Sequence, residues 1–177
     1  MQILQTATDR VVESEAIEAA ALASLHAQAT PALRGALGLA WRERDGARLS
    51  MAARLPASAI VINRAFGVRS ETLGAVAAEY RALGTQRYFL HPAVSGEDPS
   101  AAAAQAGMVP ARAWQKFERL PGAALPTQAA AVIRPVMPDT EAAGIAARLV
   151  CAAFDLGSQA EPWLARLGHD PRWAIFL

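Results

Sequence analysis

Asp45-Gly46 lies between two runs of strand character, Leu39 to Arg44 and Arg48 to Leu55, and no other feature constrains the fold as tightly. Asp-Gly tolerates the positive φ values of a two-residue type I′ turn, so the runs are expected to pair as an antiparallel hairpin. Pro56 ends the second run, and Ala59-Ile60-Val61-Ile62 reads as a third, short, β-branched strand. After Gly67 the period changes. Leu73, Val76, Ala77, Tyr80 and Leu83 recur at helical spacing, with Ser70 as N-cap, Glu71 at the positive end and Gly84 as the stop. Arg87 to His91 reads as a strand ended by Pro92, and Ser100 to Ala106 as a helix stopped at Gly107. Strands that alternate with helices in this way give an α/β (α+β) class.

Two helices precede the hairpin. Ser14 is a plausible cap for Glu15 to Ala27, whose Ile17, Ala20, Ala21 and Leu25 form the expected buried face. Pro31 opens a second helix, Ala32 to Leu37, closed by Gly38. Beyond Gly107, residues 113–120 read as a strand with two mixed faces, and Pro121 to Thr127 as a linker. Ala131 to Val136 then reads as a strand, and Thr140 to Phe154 as a helix burying Ile145, Leu149, Ala152 and Ala153. Glu161 to Leu167 is a further helix. Arg172 to Leu177 is a strand whose apolar end calls for a covering partner.

Composition narrows the function classes. The 177 residues carry a formal net charge of +1, which leaves no electrostatic footprint for nucleic acid or an anionic membrane. Lys116 is the single lysine, so a Schiff-base or phosphate-clamping lysine has one candidate. Much of the 53% hydrophobic content is alanine, so the core must rest on scattered larger side chains. Cys151 stands alone, which removes an intrachain disulfide and a cysteine-rich metal site. The three histidines lack metal-ligand spacing. No run reaches the length of a membrane helix and Met1 to Gln5 opens no secretory signal, so a cytoplasmic address is expected.

The element order from Leu39 to Leu120 resembles the later half of a GCN5-related N-acetyltransferase (GNAT) domain, and the two preceding helices match that family's first two. Ala103 to Val109 looks like the family's helix ending in an "xxGF" turn, with Met108 where Phe is usual. Val132-Ile133-Arg134-Pro135-Val136, followed by Pro138 to Glu141, looks like the opening of a second such domain. Trp163-Leu164 and His169 to Trp173 are similar to the second helix and second strand of tandem GNAT proteins. The resemblance implies a degenerate domain over 1–120, a linker over 121–127 and the opening part of a second domain over 128–177, stopping before its third strand. It implies a mixed, mostly antiparallel sheet flanked by helices, and acetyl transfer from acetyl-CoA to an amine by direct attack on the thioester.

Acetyl-CoA is therefore the expected cofactor, held through its pyrophosphate by backbone amides at a helix start. The family writes that loop Gln/Arg-x-x-Gly-x-Gly/Ala. Arg64 and Gly67 match, Val68 follows, and Arg69 replaces the last small residue. Arg69 either contacts a phosphate or fills the space the pyrophosphate needs. His91, at a strand end, is either an imidazole base or a strand-end cap; His26 and His169 read as ordinary helix and turn residues, and Cys151 as a small buried hydrophobe. Glu71, Glu79 and Glu118 are the carboxylates near the expected cleft, and none is fixed as the base. Trp114 and Phe117 either line a groove or pack the sheet. The partners implied are acetyl-CoA and an amine, with a homodimer through the open sheet edge as a further option. A non-catalytic module that binds a partner or itself is the alternative reading.

Overall fold

The computed structural model describes residues 7–94, 97–111 and 132–177. Helices α1 (Ala7–Ala27) and α2 (Pro31–Leu37) lead into the hairpin of β1 (Leu39–Arg44) and β2 (Ala47–Ala52). Strand β3 (Arg64–Val68), helix α3 (Leu73–Ala82), strand β4 (Phe89–Pro92) and the short helix α4 (Ser100–Gln105) follow. Helices α5 (Glu141–Phe154) and α6 (Glu161–Leu164) come after the segment 112–131. The strand expected over 113–120, the linker 121–127, Trp114, Phe117 and Glu118 lie outside the described residues. The class is α+β. The sheet runs β1-β2-β3-β4, with β1/β2 and β2/β3 antiparallel and β3/β4 parallel.

The hairpin forms as its turn dipeptide dictates. Asp45 and Gly46 take φ values of 50° and 83°, the doubly left-handed turn that matches strand twist, and Leu39 pairs with Ala52. The third strand is displaced from its expected place. Ala59 to Ile62 is a turn, tightened by Ala59 N–H to Pro56 and Ile62 N–H to Ala59 carbonyls. That spacing sends Ala59 and Ile62 together into the core, an i, i+3 burial that overrides β propensity. Asn63 then accepts from Ala52 N–H at 2.7 Å, and Arg64–Val68, read from sequence as a loop, forms the strand.

A bulge gives β3 an unusual burial pattern. Pairing with β4 is regular from Arg64↔Phe89 to Phe66↔His91 and then skips Gly67, so Val68 faces Pro92. The extra residue reverses the alternation, and Ala65 and Val68 both face α3 although they are three apart. Arg64 and Phe66 point to the opposite face.

Each face of the sheet has its own core. On one side Ala47, Leu49, Met51, Ala65 and Val68 pack against Leu73, Val76 and Tyr80 of α3. On the other, Leu25, Leu37, Leu39, Leu55 and Ile62 share a core with Ala147, Cys151, Leu156, Trp163 and Leu164. Residues from both sides of the segment 112–131 fill this second core.

Two helices bury different faces from those expected. Helix α1 begins at Ala7, so Ser14 is interior rather than a cap; of the expected face Leu25 is buried but Ile17 is 63% exposed and Ala20 faces outward, while Ala19, Ser24 and His26 are buried instead. In α5 the buried line is Ala143, Ala147 and Cys151, whereas Ile145, Leu149, Ala152 and Ala153 face outward. Small residues on the buried line let the helix approach closely. The helix starts one residue later than expected, with Thr140 as its cap, accepting from Ala143 N–H.

The carbonyls at the C-terminal end of α1 are taken by distant side chains. Trp163 Nε1–H donates to Leu25 at 2.8 Å, Arg34 to His26 at 2.7 Å and Arg166 Nε–H to Gln28 at 2.8 Å. Nearby, Ser24 donates to Asp170 and accepts from Trp173 Nε1–H. The guanidinium of Arg172, then the Ser24 hydroxyl, hold the Asp170 carboxyl well below the usual carboxylate range. The apolar end of the chain is paired: Arg134 and Leu177 exchange both backbone hydrogen bonds, and Val136 N–H reaches Ile175.

Trp163 is fully buried, so Trp163→Ala is expected to lower stability by about 3–5 kcal/mol in equilibrium urea unfolding. A loss below about 1 kcal/mol would contradict the packing described here.

Candidate functional site

Arg64 and His91, singled out in the sequence for separate reasons, meet on the α1 face of the parallel strand pair. Arg64 lies two residues before Phe66 on one side of β3, and His91 stands opposite Phe66 on β4. The His91 ring stacks on Phe66 at 4.8 Å, and the Arg64 guanidinium sits 5.0 Å from the centre of the same ring. Arg64 Nε–H donates to His91 Nε2 at 3.1 Å. Because arginine only donates, Nε2 is the accepting nitrogen and Nδ1 carries the proton, which is directed to Glu15 Oε1 at 3.3 Å. Arg64 also pairs with Glu18.

The result is a chain, Glu15–His91–Arg64–Glu18, whose carboxylates come from one face of α1 at i, i+3 spacing. All four side chains are at least two-thirds buried, at 17, 15, 11 and 31% exposure in that order. Such burial strengthens each hydrogen bond and makes loss of one partner costly. Sequence reading missed both glutamates as site residues. Their i, i+3 spacing was the available signal, but nothing local tied them to residues 46 and 76 positions away.

The four residues proposed for phosphate binding do not form one loop. Arg64, Gly67 and Val68 belong to β3; Val68 is fully buried and the Arg64 guanidinium is turned to α1. The turn into α3 starts at Arg69. Its N–H donates to Thr72 Oγ1 at 3.0 Å, while the Thr72 hydroxyl returns a bond to the Arg69 carbonyl. The Arg69 side chain is 54% exposed and lies 3.9 Å from Glu71. The N–H groups of Arg69, Thr72 and Leu73 are already hydrogen-bonded within the turn, so what it offers an anion is that guanidinium together with the next amides of α3, at Gly74 and Ala75.

The remaining candidates sit elsewhere. Glu79 pairs with Arg42 and, at 3.8 Å, with Arg44 of the hairpin. His169 Nε2 is 3.0 Å from Asp139 at the surface. Cys151 is buried in the core, which pushes its thiol pKa up. An open depression of about 390 Å³ lies at the other end of α3, lined by Arg81, Thr85, Gln86 and Tyr88 among others. Among the described residues no cluster of metal-ligating side chains occurs, and no helix is long and apolar enough to cross a membrane. A scan of protein-family models, a search of curated proteins and a search of solved structures each gave no match to this chain.

Arg64→Met, which keeps the stem and removes the charge, is expected to cost about 1–3 kcal/mol by leaving Glu18 and His91 short of a donor. Thermal and urea unfolding measure it, and an unchanged stability would mean that the chain of contacts is not formed. Gly67→Val is expected to cost at least about 1–2 kcal/mol, because φ is +71° there. Space is not the obstacle, since an added Cβ would lie 3.5 Å from the Gly46 carbonyl oxygen. Gly67→Val as stable as the parent protein would contradict the bulge.

Proposed function

We propose that this chain is an N-acetyltransferase of the GNAT type, which takes acetyl-CoA and passes its acetyl group to an amine. The observation that carries the reading is the parallel β3/β4 pair, whose ladder breaks at Gly67 immediately before the turn into α3. It stands within the element order α1-α2-β1-β2-β3-α3-β4-α4, the order on which the family resemblance rests. A ladder break frees backbone groups from pairing, and a strand N–H at that point can polarise a thioester carbonyl. The start of α3 supplies amides for the pyrophosphate. Arg69 is the guanidinium available to it; Arg64 serves the chain to Glu18 instead.

In the reaction the amine nitrogen attacks the thioester carbonyl carbon, the C–S bond breaks and the sulfur leaves as CoA thiolate. The nitrogen gives up its surplus proton to a base or to water, and the sulfur takes one. His91 has both ring nitrogens engaged, by Glu15 and Arg64. Its part is to hold β4 against α1 beside the break. We also propose a cytoplasmic address, in keeping with a single, reduced, buried cysteine.

Titration calorimetry with acetyl-CoA tests the reading. Saturable heat is expected, and Arg69→Ala should weaken binding about tenfold, the loss of one charge-assisted contact. Absence of heat with the parent protein would sink the enzyme reading. Absence of heat together with a concentration-dependent dimer would favour the partner-binding module.

A further inference from the structure

His26 lies in the last turn of α1, on the seam where the C-terminal helices meet the rest of the chain. It is 1% exposed. Its Nε2 is 2.8 Å from Ser50 Oγ on β2, and its Nδ1 is buried with no hydrogen-bond partner among the described residues. Two indoles flank the ring: Trp41 of β1 at 6.0 Å and Trp163 of α6, edge-on, at 5.5 Å. Trp163 is also hydrogen-bonded to the carbonyl of the preceding residue, Leu25.

The groups around the imidazole do not suit a cation. From α2, the Arg34 guanidinium is bonded to the carbonyl of His26 itself. From α3, the Tyr80 hydroxyl reaches the Ser50 carbonyl. The Asp170 carboxylate, two residues away on Ser24, is engaged by Ser24 and Arg172. Protonation puts an N–H on both ring nitrogens, which places a second charge beside Arg34 and leaves the Nδ1–H with no acceptor to receive it. Burial, with Arg34 adding to it, pushes the His26 pKa down to about 4.

The two cores make a local response possible. The core between the sheet and α3 runs from Ala47 to Tyr80, with flanking contacts as far as Met108, and takes nothing from residues 132–177. The core around Trp163 is the one that α5 and α6 share with α1 and α2. We propose that His26 makes the docking of the C-terminal helices acid-sensitive: its protonation releases α5 and α6 from α1 while the β2–β3–α3 core stays folded. The sign follows from linkage. A base whose pKa is lower in the docked state favours docking at high pH, and that preference fades as pH falls below the free value of 6.5.

Hydrogen exchange of the full chain from pH 7 to pH 4, expressed as protection factors so that the intrinsic pH dependence divides out, tests this. Opening of α5 and α6 is expected to rise by up to tenfold per pH unit below 6.5 and to level off near 4. Amides of β2 and β3, which open only when the whole chain unfolds, should keep higher protection factors than those of α5 and α6 at every pH. His26→Gln, which can keep a contact to Ser50 but does not titrate, should abolish the dependence. Flat protection in α5 and α6, protection in β2 and β3 no higher than in α5 and α6, or an unchanged profile in His26→Gln would each overturn the proposal. Should that variant not fold, NMR titration of the His26 ring in the parent protein decides: its midpoint must coincide with the pH at which the loss of protection in α5 and α6 levels off.

Discussion

The indole of Trp163 is the contact on which the arrangement of this chain depends. It fills the space between α1 and the C-terminal helices, and its N–H satisfies the Leu25 carbonyl at the end of α1. A helix end buried without partners would be costly, because its last carbonyls have none within the helix. Here Trp163, Arg166 and Arg34, from α6, just after it and α2, supply them. Burial of a large apolar surface and satisfaction of an otherwise orphaned backbone group are achieved by one side chain. The same contact sets His26 in a setting that only the neutral imidazole tolerates.

The second organising device is the bulge at Gly67. By inserting one residue it lets Ala65 and Val68 serve the α3 core while Arg64 and Phe66 stay on the α1 face. One short strand thereby supplies an apolar layer to one side and a charged, hydrogen-bonded chain to the other. Ionisable groups are retained beneath α1 because each has a partner of opposite charge or complementary hydrogen bonding. The positive φ of Gly67 is the local condition for this arrangement.

How far the sequence was legible varies by element. Asp45-Gly46 announced its hairpin because the turn's backbone conformation is a property of those two residues. The apolar face of α3 and its Gly84 stop were legible for the same local reason. The stretch Ala59 to Ile62 was not, since its β-branched side chains satisfied a turn that buries Ala59 and Ile62 in a core completed by distant helices. Helix α5 misled for a related reason. Periodicity picked out Ile145 and Leu149, yet the partner surface admits the helix only along its alanines and Cys151. At the candidate site, Arg64 and His91 were recognisable as residues with chemistry, but their meeting with Glu15 and Glu18 was not.

By itself, then, the amino-acid order determined local conformations: where α2 begins, where α2 and α3 stop, where the chain doubles back, and which residues can adopt left-handed backbone. Those outcomes follow from short-range sterics and hydrogen bonds within a few residues. Tertiary structure alone decided which side of each element is covered, which strand follows the hairpin, and which charges become neighbours. Those depend on contacts between residues as far apart as Leu25 and Trp163, whose strength is realised only once both surfaces have left water.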